Sequence, residues 1–159
     1  MILKESLNSA FNEQITHEMR NVSIYRQIQS FFDGMQLTNI AKYFKNQADH
    51  ENDHAKMLIE YVNSRIGGNI KIQTIEDPIE ITSVEQIANL YLEVEQGTTE
   101  SIEALYSLAF EEKSFIDLPL ISCFLKEQVE EESSAENFKV RVKMVKDLVL
   151  FDALFKECE

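Results

Sequence analysis

Between Ile40 and Tyr61 the residues Ile40, Phe44, Gln47, Glu51, His54, Leu58 and Tyr61 follow one another at steps of three and four, the spacing of one buried helix face. The middle of that face is an acid and an imidazole. Glu51 and His54 stand three apart, so a helix brings them to one side, where together they can grip a cation. A lone Glu-x-x-His is common on solvated helices. Here it constrains the fold, because three further stripes carry a polar break at the corresponding height. Leu7, Phe11, Ile15, Val22, Tyr25, Ile28 and Phe32 form one, with Glu18 inside it. Val84, Ala88, Tyr91, Thr98, Ile102, Leu105 and Ala109 form the next, interrupted by Glu95. Leu120, Phe124, Phe138, Val142 and Val145 form the last, broken by Gln128 and Glu131, with Glu127 and Glu130 one step round the helix.

The stripes predict an all-α chain: four long helices over about 3–33, 37–65, 83–111 and 118–146, then a short fifth over 148–157. Gly34 is expected to stop the first helix, and either Thr38 or Leu37 to open the second. Gly67-Gly68 ends the second, Ser83 with Gln86 reads as a capping box, and Pro119 suits the first turn of the fourth. The stretch 69–82 has no sustained period and contains Asp77-Pro78. About 17 extended residues at ~3.3 Å each reach roughly 55 Å, whereas a helix of about 28 residues is only about 42 Å long. The connection can therefore cross the whole bundle, so that the third helix starts at the same end as the second. Four glycines and two prolines in 159 residues agree with long helices in a single domain.

The formal net charge of −13 works against non-specific nucleic-acid binding and favours cations, although alone it suits any acidic soluble protein. Cys123 and Cys158 make neither a Cys-x-x-Cys nor a disulfide framework, which points to a reducing compartment. Met1 to Glu5 lack the apolar run of a signal peptide, and no segment approaches the ~20 apolar residues that span a bilayer. A cytoplasmic protein without membrane or nucleic-acid partners is expected.

In an antiparallel bundle, mid-helix positions meet at one level whichever way each helix points. Several carboxylates and an imidazole then face one another in an apolar interior. Burying even one bare carboxylate is costly, so cations or protons must sit among them. An oxygen-rich set with one histidine and no cysteine argues against structural zinc and copper thiolate. Bridging carboxylates suit a pair of iron or manganese ions.

Glu18 with Tyr25 seven later, Glu51-x-x-His54, Tyr91-x-x-x-Glu95-Gln96 and Glu127-Gln128-Val129-Glu130-Glu131-Glu132, in that order, resemble the ferritins, specifically the haem-free bacterial type. The resemblance covers essentially the whole chain. It implies a ferritin-like four-helix bundle with a long crossover between helices 2 and 3 and a short fifth C-terminal helix. It further implies that Glu18, Glu51 and His54 hold a first iron, and that Glu51 bridges to a second site completed by Glu95 and Glu131. Gln128 corresponds to a glutamine that hydrogen-bonds at the di-iron centre, and Tyr25 to a neighbouring hydrogen-bond donor or electron source. Glu127, Glu130 and Glu131 correspond to ligands of a third iron. His50 stands where that site takes a glutamate; it removes a negative charge and leaves the third site open. The fourth helix lacks the second Glu-x-x-His of bacterioferritins and no haem is expected, so Met19 and Met57 read as packing residues.

The function implied is iron storage and detoxification. Fe(II) is oxidised by O2 or H2O2 at a carboxylate-bridged ferroxidase centre, and the mineral is kept inside a homo-oligomeric shell of about 24 subunits. The alternatives are an iron-binding shell subunit with little ferroxidase activity, and a discrete di-iron oxidase or peroxidase. Among other residues, His17 is expected at the surface and Cys123 in the core, while Cys158 has no evident partner. Glu111, Glu112 and Asp117 read as pore acids or as a solvated loop. The last helix either packs around a four-fold axis or docks on its own bundle.

Overall fold

A computed structural model describes residues 2–75 and 78–156. Among these the chain forms α1 (Glu5–Gly34), α2 (Thr38–Ser64), α3 (Val84–Glu111), α4 (Leu118–Met144) and α5 (Leu148–Ala153). The described residues include no β-strand, only an isolated parallel bridge between Ile2 and Ile66. Among the described residues no helix is long and apolar enough to cross a membrane.

Side-chain pairing fixes the directions. Gln14 meets Ser101 while His17 and Asn21 reach Thr98, so α1 and α3 are antiparallel. Tyr61 bonds Asp117, His54 bonds Glu127 and Tyr43 stacks on Phe138, so α2 and α4 are antiparallel too. Phe11 against Tyr61 and Phe32 against Phe44 make α1 and α2 a hairpin. The connection from α2 to α3 must then travel the bundle's length, as its reach allowed. Its backbone has no strand to pair with, and α1 supplies the partners. Asn8 Oδ1 accepts from Asn69 N at 2.9 Å, and Asn12 both donates to Asn69 O at 2.8 Å and accepts from Lys71 N. Thr16 Oγ1 accepts from Gln73 N at 3.2 Å and Gln27 Oε1 from Ile79 N at 3.0 Å. From Asn8 to Gln27 the segment passes along roughly 28 Å of helix. Asp77 lies outside the described residues.

The helix ends differ in detail from expectation. Gly34 is the last residue of α1 and not its terminator. Gln36 takes the left-handed conformation (φ 61°), with Leu37 N bonded to Phe32 O and Gln36 N to Asp33 O. That is a Schellman ending with a residue other than glycine at its turning point. Lys113 (φ 57°) ends α3 the same way, through Ser114 N to Ala109 O and Lys113 N to Phe110 O. Leu37, which has no capping side chain, opens α2. Ser83 Oγ does cap Gln86 N at 3.0 Å, while Gln86 Oε1 returns to Thr82 N at 2.7 Å.

The apolar interior is two clusters, not one. The first contains Tyr25, Ile28, Phe32, Phe44, Tyr91 and Phe138, and the second Leu7, Phe11, Ile15, Leu58, Ile102 and Phe124. The layer between them holds the polar breaks of the four stripes. The last helix docks on its own bundle. Phe151 and Phe155 are buried in the first cluster, while Val149, Leu150 and Leu154 stay exposed. Its described part ends at Ala153, short of the expected 157, and Cys158 lies outside the described residues.

Candidate metal centre

Each long helix brings its polar break into the layer between the clusters. Glu18 is 0 % exposed, Glu51 4 %, Glu95 0 % and Gln128 3 %. Helix period alone does this, because each replaces one member of a stripe that is buried above and below it.

Glu18, Glu51 and His54 each direct one ligand atom to a common point, all within 4.8 Å of one another. His54 Nδ1 stands 3.8 Å from both Glu18 Oε2 and Glu51 Oε2, too far for hydrogen bonding. Those same two oxygens are buried without a hydrogen-bond partner. Two unpaired carboxylate oxygens facing an imidazole nitrogen form a donor set suited to a divalent, borderline-soft cation such as ferrous iron. The other ring nitrogen, Nε2, meets Glu127 Oε2 at 2.8 Å. Glu127 thus orients His54 by the carboxylate–histidine arrangement usual at metal sites.

Glu95 sits across the layer and outside this trio. Its Oε1 accepts a short hydrogen bond from Tyr25 Oη, and its Oε2 accepts from Gln128 Nε2 at 3.2 Å. Glu131 is half-buried, with Oε1 3.7 Å from His50 Nδ1. His50, Glu127, Glu130 and Glu131 line a cavity of about 350 Å³ that His54 borders, together with Asp53 and Met57. The sequence-predicted residues therefore fall into a buried trio, a Tyr25–Glu95–Gln128 group and an open acidic cavity.

The acids do not titrate alike. Burial pushes Glu51 well above the ordinary carboxylate range, and the nearby Glu18 adds to this. Burial also opposes ionisation of Glu18, but its contacts with Glu51, His54 and Gln14 outweigh that and hold it below its usual value. His54 is disfavoured as a cation by burial, yet the two acids raise it to about 11. Burial raises Glu95 to about 7 despite its hydrogen bond from Tyr25. Without metal, protonated His54 supplies positive charge to this layer, and the upward push on Glu51 favours its neutral form.

Several expectations are corrected. His17 is half-buried rather than free at the surface: its Nε2 lies 3.0 Å from Thr98 Oγ1, at the edge of the α1–α3 interface. The Thr98 proton is committed to Val94 O, so His17 Nε2 is the donor. Cys123 is exposed rather than in the core, one turn before Glu127. Its position on the stripe is adjacent to Phe124, and one step of about 100° turns it outward. Met57 is exposed and borders the acidic cavity instead of packing. Asp117 belongs to no solvated loop, being 0 % exposed and bonded to Arg65, Tyr61 and Ser114.

One participant escaped the reading of the sequence. Gln14 donates to Glu18 Oε1 at 2.6 Å and accepts from Ser101. Its signal was present, four residues before Glu18 on the same face.

Comparisons with known proteins place the chain as a whole among its relatives. A family model described as a ferritin-like domain matches residues 8–145. A bacterial non-heme ferritin of Bacteroides fragilis (strain 638R) is 28 % identical over 151 residues, covering 94 % of each chain. Another, from Staphylococcus epidermidis, is 30 % identical over 136 residues, covering 85 % of this chain and 81 % of its own. Among solved structures, an open pore ferritin from the archaeon Archaeoglobus fulgidus superposes with a TM-score of 0.90 at 27 % identity, over 96 % and 97 % of the two chains. A humanized archaeal ferritin gives 0.92 at 28 % identity, over 98 % of each.

Proposed function

The chain belongs to the ferritin family, whose members store iron, and on that premise we propose that it oxidises Fe(II) at the buried layer and stores the ferric product. The observation that carries this reading is the pair of unpartnered oxygens, Glu18 Oε2 and Glu51 Oε2, facing His54 Nδ1. A first Fe(II) binds these three residues. A second binds beside it, with Glu51 as bridge and Glu95 and Glu131 as its further ligands. Gln128 and Tyr25 hold Glu95 from either side, and Tyr25 is placed to supply a proton or an electron. The protein contributes position and charge neutralisation: two metal ions brought together give dioxygen or peroxide two electrons from one place.

Ferrous ions arrive through the acidic cavity lined by Glu127, Glu130, Glu131 and His50, where a third ion is held by the same acids. The subunits assemble as a homo-oligomeric shell of about 24 copies in the cytoplasm, with mineral inside and no haem. The exposed apolar face of α5 is available to that assembly.

Adding Fe(II) to the metal-free protein in air tests the reading. Ferric absorbance should rise rapidly in the wild type. Glu51→Ala, which removes the bridge, should slow it by about 10- to 100-fold or more. Equal rates in the two proteins would overturn the assignment of the centre. Elution as a very large particle on size-exclusion chromatography supports storage over a discrete oxidase, which would run as a monomer or dimer.

A further inference from the structure

Resting on that reading of the centre, we infer that Gln14, fixed by Ser101, positions Glu18 so that it offers a single oxygen to the first cation. Gln14 Nε2 donates to Glu18 Oε1 at 2.6 Å, and the Ser101 hydroxyl donates to Gln14 Oε1. The other carboxylate oxygen, Glu18 Oε2, is buried without a hydrogen-bond partner, 3.8 Å from His54 Nδ1. Glu18 therefore has a held end and a free end, and the free end faces the imidazole. Glu51 differs. Its Oε2 is also buried and unpartnered, and among the described residues no amide or hydroxyl donates to either of its oxygens.

Two features separate this arrangement from packing alone. Gln14 stands at an apolar step of its own helix: Leu7, Phe11, Gln14 and Glu18 follow one another at four, three and four residues, and Gln14 is buried. A methionine or leucine there would fill the space with no polar group to satisfy. The second feature is the direction of the amide. A glutamine can turn either its nitrogen or its oxygen to a neighbour, and beside a carboxylate the oxygen would set acceptor against acceptor. The nitrogen therefore faces Glu18, which leaves the amide oxygen facing α3, where a buried acceptor without a donor is costly. Half-buried Ser101 supplies that donor. Both ends of the amide are thus engaged, and each engagement depends on the other.

The consequence is the number of oxygens each acid presents. A carboxylate free to turn can close on one ion with both oxygens, as carboxylates do around large oxygen-seeking cations. Held by Gln14, Glu18 meets a cation through Oε2 alone, with its plane set before the ion arrives. Glu51, restrained by no such donor, keeps two oxygens available, as a bridge between two ions requires. Gln14 is a positioning residue, and Ser101 acts through it.

The test titrates Co(II), whose visible spectrum reports its coordination, into the full metal-free protein without oxygen, up to one ion per subunit. Gln14→Met should weaken binding by about 10- to 100-fold, the usual loss when the partner behind a metal ligand is removed. It should also weaken the visible band per bound Co(II), because Glu18 then closes on the ion with both oxygens and raises its coordination number. Ser101→Ala should move both readouts the same way, and Ser101→Thr, which keeps the hydroxyl, should restore them. Gln14→Met combined with Ser101→Ala should match Gln14→Met alone, as expected of two residues acting in one line. Should Gln14→Met fail to fold, the contrast between Ser101→Ala and Ser101→Thr decides alone. A double variant weaker than Gln14→Met overturns the action of Ser101 through Gln14. Unchanged affinity and spectrum in Gln14→Met and Ser101→Ala overturn the positioning and leave the centre standing. Co(II) binding that survives Glu18→Ala unchanged overturns the reading of the centre, and the positioning with it.

Discussion

Asp152 Oδ1 accepts the backbone N–H of Ile40 at 2.9 Å, so a residue of α5 caps the first turn of α2 from 112 positions further along the sequence. Its Oδ2 also accepts from Asn39 Nδ2 at 2.8 Å. Neither Leu37 nor Thr38 provides a local cap for α2. The short helix is therefore held by a polar clasp as well as by Phe151 and Phe155.

Asp152→Ala should lower stability by about 1–2 kcal/mol, the usual cost of a lost N-cap. For a chain of this size the melting temperature falls by roughly 2–8 °C, at fixed subunit concentration. Thr38→Ala, by contrast, should leave the melt unchanged. If the two variants melt alike, the cap does not act across the fold.

Lys113→Gly should stabilise the protein. Lys113 has φ 57° at the end of α3, a conformation costing an L-residue roughly 1–2 kcal/mol that glycine avoids. Glycine's greater freedom in the unfolded chain offsets about 0.4–1 kcal/mol of this. A net gain between about 0 and about 1.6 kcal/mol is expected from denaturant unfolding, and Gln36→Gly, at φ 61°, should behave likewise.

Metal binding should release protons. His54, raised to about 11, carries its extra proton near neutral pH in the metal-free protein, and Glu51, held well above its ordinary value, keeps its proton to a higher pH than a free carboxyl would. A cation at Glu18, Glu51 and His54 displaces them, so affinity should rise with pH and fall as the solution is acidified. The sign for stability is the reverse. The protonated His54 stabilises the metal-free fold fully below its unfolded value near 6.5, and that contribution is lost as pH rises through about 11. Titration calorimetry in buffers of different ionisation enthalpy counts the protons. Release of none contradicts the charge assignment.

Asp117→Ala should destabilise by roughly 3–5 kcal/mol, because it strands the Arg65 guanidinium, whose side chain is only 9 % exposed. Tyr61 provides a second readout. Burial, then its bond to Asp117, raises it to about 12, so its stabilising effect is complete below 10 and fades as pH climbs through 12. Spectrophotometric titration of the variant should show one tyrosine ionising earlier than in the wild type.

Much of this protein follows from residue order. The period of three and four within each segment marks the buried faces, and Glu18, Glu51, Glu95 and Gln128 stand out because each occupies an apolar position of its own stripe. Local geometry alone turns them inward, so the layer is legible before any tertiary contact is known. The crossover is legible too, because chain reach sets a bound that needs no partner.

What only the folded chain decides depends on neighbours far apart in sequence. Asn8, Asn12 and Thr16 look like ordinary surface residues of a helix until the crossover's backbone needs their hydrogen bonds. Asp117 looks solvated until Arg65 and Tyr61 arrive from α2. The same holds within the centre. Helical period places Glu51, His54 and Glu95 in one layer, but only packing decides that Glu18 and Glu51 share His54 Nδ1 while Glu95 turns to Tyr25 and Gln128. Periodicity is a property of one helix and sets which side faces inward; a partner is a property of two, and contacts of a few ångströms between them exist only once the bundle has closed.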